Sequence, residues 1–484
     1  MPSIAAPEIV WSSILPILLL SGGALLLLLW GAFDRRLERW KLTVGACITV
    51  AAAGASLVPL IGERRLAMND MVVIDGVGLF TSMVILISAA IVLPVSQRYL
   101  HARRIHRAEF EPLLLFATAG MLLLATANDL LMVFIAIEVL SLALYVMVAI
   151  AKHDAGAQEG ALKYFLLGAF SSAILLYGVA LLYGATASTR IPAIADAVAG
   201  GAADVRLLLA GLVMVVVGLA FKVGAVPFHM WTPDVYQGAP TNVTAFMAAG
   251  TKAAAFAALL RVTLVSFGSL SWDWRPALWV IAVATMVVGS VLAIVQTDVK
   301  RMLGYSSVGH AGFIMIGVVA ADRAGITSVL FYLLVYAVMT IGAFTVVMAS
   351  GREGRERLDF ASWSGLGRTE PMLAAAMTLF LISLAGLPPT AGFIAKLTVF
   401  TAAQSAGETG LVIIGALSSV VAVFFYLRLI VMMWLHEPEG EVAPSGVDVV
   451  SGWTLGIAAA FVAVIGVWPQ ALLDVARKAA ELAG

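Results

Sequence analysis

The chain has 484 residues, 62% of them hydrophobic and 12% charged, and its mean hydropathy is +1.01. Its 29 Lys and Arg balance 29 Asp and Glu, so there is no basic surplus of the kind that holds nucleic acid. A soluble domain carries about 25% charged residues; this composition excludes one and predicts an all-α polytopic membrane protein, the short alternating segments of a β-barrel being absent.

Apolar runs long enough to cross a ~30 Å hydrocarbon core follow one another along the chain. They cover 9–32, 42–62, 75–97, 111–128, 130–151, 160–184, 207–237, 241–266, 274–296, 300–320, 324–350, 371–405, 409–436 and 450–473, about fourteen spans. The first is too long and leucine-rich, with its basic residues after it, to be a cleaved signal peptide. Connections after odd-numbered spans, with their edges, hold fifteen Lys or Arg. These include Arg35, Arg36, Arg39 and Lys41, then Arg98, Arg103, Arg104 and Arg107, then Arg352, Arg355, Arg357 and Arg368. The opposite connections and the tail hold eight. The positive-inside rule then puts both termini outside the cytoplasm.

Two spans are interrupted in a matching way. The seventh carries Gly224-Ala225-Val226-Pro227, and the twelfth carries Gly386-Leu387-Pro388-Pro389. A proline removes a donor and frees a carbonyl, and such breaks survive at membrane depth only where protein or a wet cavity satisfies the backbone. Paired broken helices point to a transport site between inverted repeats. Tyr164-Phe165-Leu166-Leu167 aligns with Phe331-Tyr332-Leu333-Leu334, and Asp129 with Asp298. Five spans separate each pair, and an odd number per unit inverts the second copy. The expected organisation is one membrane domain, 1–484. Within it lie a three-helix segment (1–110), two inverted five-helix repeats (spans 4–8, 111–266, and spans 9–13, 274–436) and a C-terminal helix (450–484).

Charges inside apolar spans carry the chemistry, since each costs about 2.5–3.5 kcal/mol at the bilayer centre. Glu138 lies in the fifth span, Lys163 in the sixth, Lys222 in the seventh just before its break, Lys252 in the eighth and Lys396 beyond Pro389 in the twelfth. A lysine held between desolvation and a nearby carboxylate can bind and release a proton, and Glu138 is expected to tune Lys222 across adjacent helices. Lys163 is near enough to an end for its ammonium to snorkel out instead. His229 and His310 are candidate relay imidazoles or satisfied hydrogen-bonding residues. Arg261, near the outer end of the eighth span, reads as an anchor. A lone Cys47 allows no disulfide or Cys-ligated cluster, and the six histidines show no close pair at ligand spacing. No dinucleotide fingerprint or P-loop appears, so neither a cofactor nor a metal is expected in this chain.

The run from Phe221 to Thr241 (FKVGAVPFHMWTPDVYQGAPT) and that from Asp298 to His310 (DVKRMLGYSSVGH) resemble the antiporter-like membrane subunits of respiratory complex I and of multisubunit cation/proton antiporters. Lys163-Tyr164-Phe165-Leu166-Leu167-Gly168-Ala169, with Tyr236-Gln237-Gly238-Ala239-Pro240, resembles the N-type subunit in particular. M-type paralogues typically carry a glutamate where Lys396 stands, and L-type paralogues end in a lateral helix beyond this length. The resemblance implies a proton-translocating subunit of NADH–quinone oxidoreductase, with a sodium/proton antiporter subunit as the competing reading and a scaffold without flux as the third. It also implies a buried Glu138–Lys222 ion pair, with Lys252 as central relay and Lys396 on the outlet side. NADH, FMN, iron–sulfur clusters and quinone are then expected in partner subunits. The partners are an M-type neighbour, small membrane subunits and the lipid bilayer.

Overall fold

The structure is a computed structural model that describes residues 10–34, 38–201, 204–351, 355–438 and 447–481. Arg35, Arg36 and Arg352 of the basic clusters lie outside these residues. Apart from a hairpin of β1 (Arg65–Ala67) and β2 (Val72–Ile74), the described chain is helical. In chain order the helices are α1 (Trp11–Phe33), α2 (Arg39–Leu57), α3 (Gly76–Ala102), α4 (Phe110–Ala125), α5 (Leu130–Val148), α6 (Ala155–Thr186), α7 (Ile191–Ala199), α8 (Val205–Val223) and α9 (Trp231–Gly238). There follow α10 (Thr241–Ser266), α11 (Ser271–Ile294), α12 (Val299–Ala320), α13 (Arg323–Ser350), α14 (Pro371–Ala385), α15 (Ala391–Ser405), α16 (Thr409–Leu435), α17 (Val449–Val467) and α18 (Gln470–Ala479).

Six helices start on an aspartate whose carboxylate accepts first-turn amides: Asp75 at α3, Asp129 at α5, Asp154 at α6, Asp204 at α8, Asp298 at α12 and Asp322 at α13. The first amides of a helix have no partner within it, and in an apolar slab a short acidic side chain satisfies them locally. Asp129 and Asp298 are also matched in how the chain returns to them. Leu130 N donates to Thr189 O and Val299 N to Leu358 O, with bridges Asp129–Arg190 and Asp298–Asp359.

Twelve helices of the described residues are long and apolar enough to cross a membrane. The remaining two predicted spans are built of shorter helices. The fourth is α4, 16 residues and about 24 Å long at 1.5 Å per residue. The twelfth breaks at the expected Gly386–Pro389 run into two 15-residue arms, α14 and α15. The seventh likewise ends at Val223, and α9 runs on separately. The fourteenth stops at Val467, and Pro469 starts the amphipathic α18. Sequence periodicity also passed over α7 and the hairpin, which are too short to carry an apolar span.

α10 and α13 are enclosed on all sides by other helices and α12 nearly so, whereas α1, α6, α16 and α17 show large apolar faces. The helix ends sort into two groups by their ion pairs. Arg103 pairs with Asp154 and Glu356, and Lys300 with Glu356, joining the ends after α3, α5 and α13 to the start of α12. Asp75–Arg261, Asp70–Arg190 and Arg323–Glu481 join the opposite ends. Burial pushes the Glu356 carboxyl up, but the Lys300 and Arg103 charges outweigh it and hold it below the ordinary carboxylate value.

Candidate functional site

The site is built around the two broken helices. At the first, Gly224 takes the left-handed conformation, φ 76°, and turns the chain out of α8. The α8 carbonyls freed there are recaptured one by one. Ala225 N donates to Ala220 O and Gly224 N to Phe221 O. Trp231 Nε1 also donates to Phe221 O, at 2.9 Å. The last carbonyl, Val223 O, accepts from Lys252 Nζ at 3.3 Å. At the second break Gly386 repeats the conformation at φ 81°, and its amide returns to Ile382 O and Ser383 O. Here too the last carbonyl, Ala385 O, accepts from a lysine, Lys396 Nζ at 2.8 Å. A Cβ on Gly386 would stand 2.6 Å from the Lys396 side chain, so only glycine fits.

Each ammonium therefore sits on a helix C-terminus, where unpaired carbonyls carry a partial negative charge of about half an electron. That placement answers the desolvation of a buried cation without a carboxylate. Lys252 is 2% exposed and also donates to Ser307 O at 2.6 Å, with the Tyr336 ring 5.4 Å from its nitrogen. It follows a π-helical turn, Met247–Thr251, which offsets it from the regular helix register. Lys396 is 3% exposed, donates to Ser419 Oγ at 2.8 Å and lies 4.6 Å from the Phe313 ring.

His310 on α12 stands between the two lysines, within electrostatic range of both, with the Leu384 carbonyl beside it. Its Nδ1 is 2.8 Å from Tyr332 Oη and its Nε2 is 3.3 Å from Tyr426 Oη. Tyr426 is in turn hydrogen-bonded to Ser306. All four residues are buried. Lys252 and Lys396 thus flank a buried cluster in which Ser306, Tyr426, His310 and Tyr332 are joined by hydrogen bonds.

Glu138 and Lys222 lie near one another but the expected ion pair does not form. Lys222 Nζ donates to Ser141 Oγ at 2.7 Å, with Tyr164 Oη 3.4 Å away, and Ser141 donates on to Ile137 O. Glu138 acts on Lys222 only at longer electrostatic range, and its Oε1 is buried without a hydrogen bond. Ser141, one turn beyond Glu138 on the same face of α5, is the residue that meets the Lys222 ammonium. The neighbours of Glu138 on α5, Ile135, Val139 and Leu142, are exposed, and Glu138 itself is partly buried. A cavity of about 10 Å³, room for a single water, adjoins Lys222 beside Ser171 and Ser172.

Lys163 is drawn to the rim, pairing with Asp234 and Glu159 at 2.7 Å each with its side chain 43% exposed. Arg301 shares Asp234. His229 is half-buried outside the break, its Nδ1 unpartnered, and does not join the lysine chain. Arg261, expected to be an anchor, is instead buried and held by both oxygens of Asp75 at 2.7 and 3.0 Å. Ser141, Ser419, Tyr332 and Tyr426 escaped sequence reasoning. Serine and tyrosine in an apolar helix are common, and only the facing helix shows which of them meet a lysine or histidine.

Residues 127–422 match the family model described as NADH:quinone oxidoreductase/Mrp antiporter, TM. NADH-quinone oxidoreductase subunit N of Acidothermus cellulolyticus is 44% identical over 508 residues, covering 99% of this chain and 97% of that protein. A chain of respiratory complex I from Thermus thermophilus with bound aureothin is 34% identical with TM-score 0.82, covering 95% of this chain and 98% of its own. A chain of the Mrp complex from Dietzia sp. DQ12-45-1b shares the fold at TM-score 0.85 and 22% identity, over 97% of both chains. The chain belongs to the NADH:quinone oxidoreductase/Mrp antiporter membrane family and, within it, to the subunit N group of NADH-quinone oxidoreductases.

Proposed function

We propose that this chain is a proton-translocating membrane subunit of an NADH–quinone oxidoreductase. It moves protons across the membrane through buried side chains while quinone is reduced in other subunits. The observation that carries this reading is the pair of lysines, Lys252 and Lys396, each seated on the carbonyl freed at a helix break, with His310 between them. An amine on a carbonyl cage can lose and regain a proton without moving a carboxylate. Lys252 is the central relay and Lys396 the outlet-side group. Lys222, tuned at a distance by Glu138, feeds the path. Lys163 and His229 serve at most at its entrance, since each sits at the rim.

The matched breaks and matched caps Asp129 and Asp298 support two inverted five-helix repeats over 111–266 and 274–436. The excess of Lys and Arg on one set of connections favours the bacterial inner membrane with both termini periplasmic. NADH, FMN, iron–sulfur clusters and the quinone site belong to partner subunits. The neighbours in the bilayer are an M-type subunit and small membrane subunits, and the apolar faces of α5 and α6 offer surface for them. The likeness to an Mrp chain keeps a sodium/proton antiporter subunit as the second reading.

The test is proton flux into vesicles holding the assembled complex, with and without NADH. NADH-driven flux that needs no sodium is expected, and Lys222→Ala should stop it and quinone reduction together in assembled complex. Flux that follows a sodium gradient without NADH would replace this reading by the antiporter one.

A further inference from the structure

Tyr426 occupies a position that nothing in the lysine chain explains. Its hydroxyl lies between Ser306 and His310 Nε2. Ser306 precedes Ser307, whose carbonyl holds the Lys252 ammonium at 2.6 Å. On the other side, His310 lies beside the Leu384 carbonyl, next to the Ala385 carbonyl that holds Lys396. The straight route between His310 and Lys396 is closed by an apolar ring: Phe313 packs against the Lys396 nitrogen at 4.6 Å and against the imidazole at 6.1 Å between centroids. The Tyr336 ring lies 5.4 Å from the Lys252 nitrogen and 5.1 Å from the imidazole, with its own hydroxyl turned to Ser307 and Thr340. The polar atoms that bypass these rings are hydroxyls.

We propose that Tyr426 is a proton-carrying residue of the lateral path, its hydroxyl handing protons between the Ser306 side, where Lys252 sits, and His310. The proposal rests on the proton-path reading above. In one transfer the Tyr426 oxygen gains a proton from one neighbour as its own proton leaves to the other, so the phenol is intact afterwards and only the direction of its hydrogen bond is reversed. His310 binds a proton at one ring nitrogen and releases one from the other, where Tyr332 is its partner. Over the whole step one proton enters at the Ser306 hydroxyl and one leaves His310 toward Tyr332, and each group between them ends with the protonation it began with. Ser419, which touches Lys396, lies seven residues from Tyr426 on α16, on the same helix face. One helix thereby supplies a hydroxyl beside His310 and another beside Lys396.

The experiment compares Tyr426→Phe with Lys396→Ala in the assembled complex in vesicles, reading NADH-driven proton flux and the solvent deuterium isotope effect on turnover. Tyr426→Phe keeps the ring packed on Phe425, 4.2 Å away between centroids, and removes one oxygen. A positioned proton-transfer group contributes of order 10²–10⁴ in rate, and water replaces part of it, so a roughly tenfold loss of flux is expected with an enlarged isotope effect. Normal flux in Tyr426→Phe beside a stalled Lys396→Ala overturns the proposal and leaves the proton-path reading standing. Normal flux in both variants overturns that reading itself. Slow turnover with an unchanged isotope effect makes Tyr426 a packing residue and also overturns the proposal. Ser306→Ala cuts the same hydrogen bond from its other end and must behave alike; it decides the matter if Tyr426→Phe fails to assemble.

Discussion

The two helix breaks solve one problem with different parts. Both expose a terminal carbonyl in an apolar interior, and both cap it with a lysine ammonium. At the first, the lysine comes from another helix: Lys252 of α10 reaches Val223 of α8, and its other hydrogen bond goes to Ser307 O. At the second, Lys396 comes from α15, the other arm of the same broken helix, and adds a side-chain hydroxyl, Ser419. Lys252 is thus hydrogen-bonded to backbone alone, and Lys396 to one carbonyl and one hydroxyl. A backbone cage fixes an ammonium without offering a proton acceptor, because an amide carbonyl is a very weak base. A hydroxyl both accepts and donates. Lys252 must hand its proton to a group outside its hydrogen-bonded cage, whereas Lys396 has a hydroxyl beside it that can pass one on.

The strongest way to break this contrast is at Lys396 itself. Lys396→Ala should reduce NADH-driven flux in assembled complex by about 10²-fold or more, the scale of a lost proton-transfer group. Lys396→Glu should be milder, because a carboxyl still exchanges protons. Equal flux in the two variants would place the exit elsewhere. Next in size is Asp75→Asn, which leaves Arg261 charged and enclosed. Breaking a buried pair from one side costs about 3–5 kcal/mol, so thermal dissociation of the complex should shift to markedly lower temperature. A change no larger than that of a surface variant would show that Arg261 finds another partner. The smallest effect is expected for Ser419→Ala, since a single hydrogen bond to a charged group is worth about 1.5–3 kcal/mol and the Ala385 carbonyl remains. Flux should fall several-fold, with assembly intact. No side-chain substitution can remove the corresponding hydrogen bonds of Lys252, and an unaffected Ser419→Ala would erase the difference between the two breaks.

Much of this molecule is readable from its letters. Long apolar runs, an Asp ahead of several of them, and the GAVP and GLPP interruptions place the helices and both breaks. Lys222, Lys252 and Lys396 stand out because a charge in such runs is costly. The letters mislead where a charge's surroundings decide its meaning. Arg261 reads as an anchor, yet Asp75, 186 residues away, encloses it. Glu138 and Lys222 read as a pair, yet Ser141 is the residue that meets the ammonium. Lys163 reads as either relay or surface residue, and Asp234 draws it to the rim.

The sequence by itself determined the number and order of apolar segments, where they break, and which spans hold charge. These follow from local costs: desolvation of each residue and the backbone limits of Gly and Pro act wherever the residue is placed. Tertiary structure alone decided which carbonyl each ammonium meets, and that Tyr426 and Tyr332 flank His310. Hydrogen bonds between helices depend on rotation and depth to within about an ångström, and the packing of whole helices sets those.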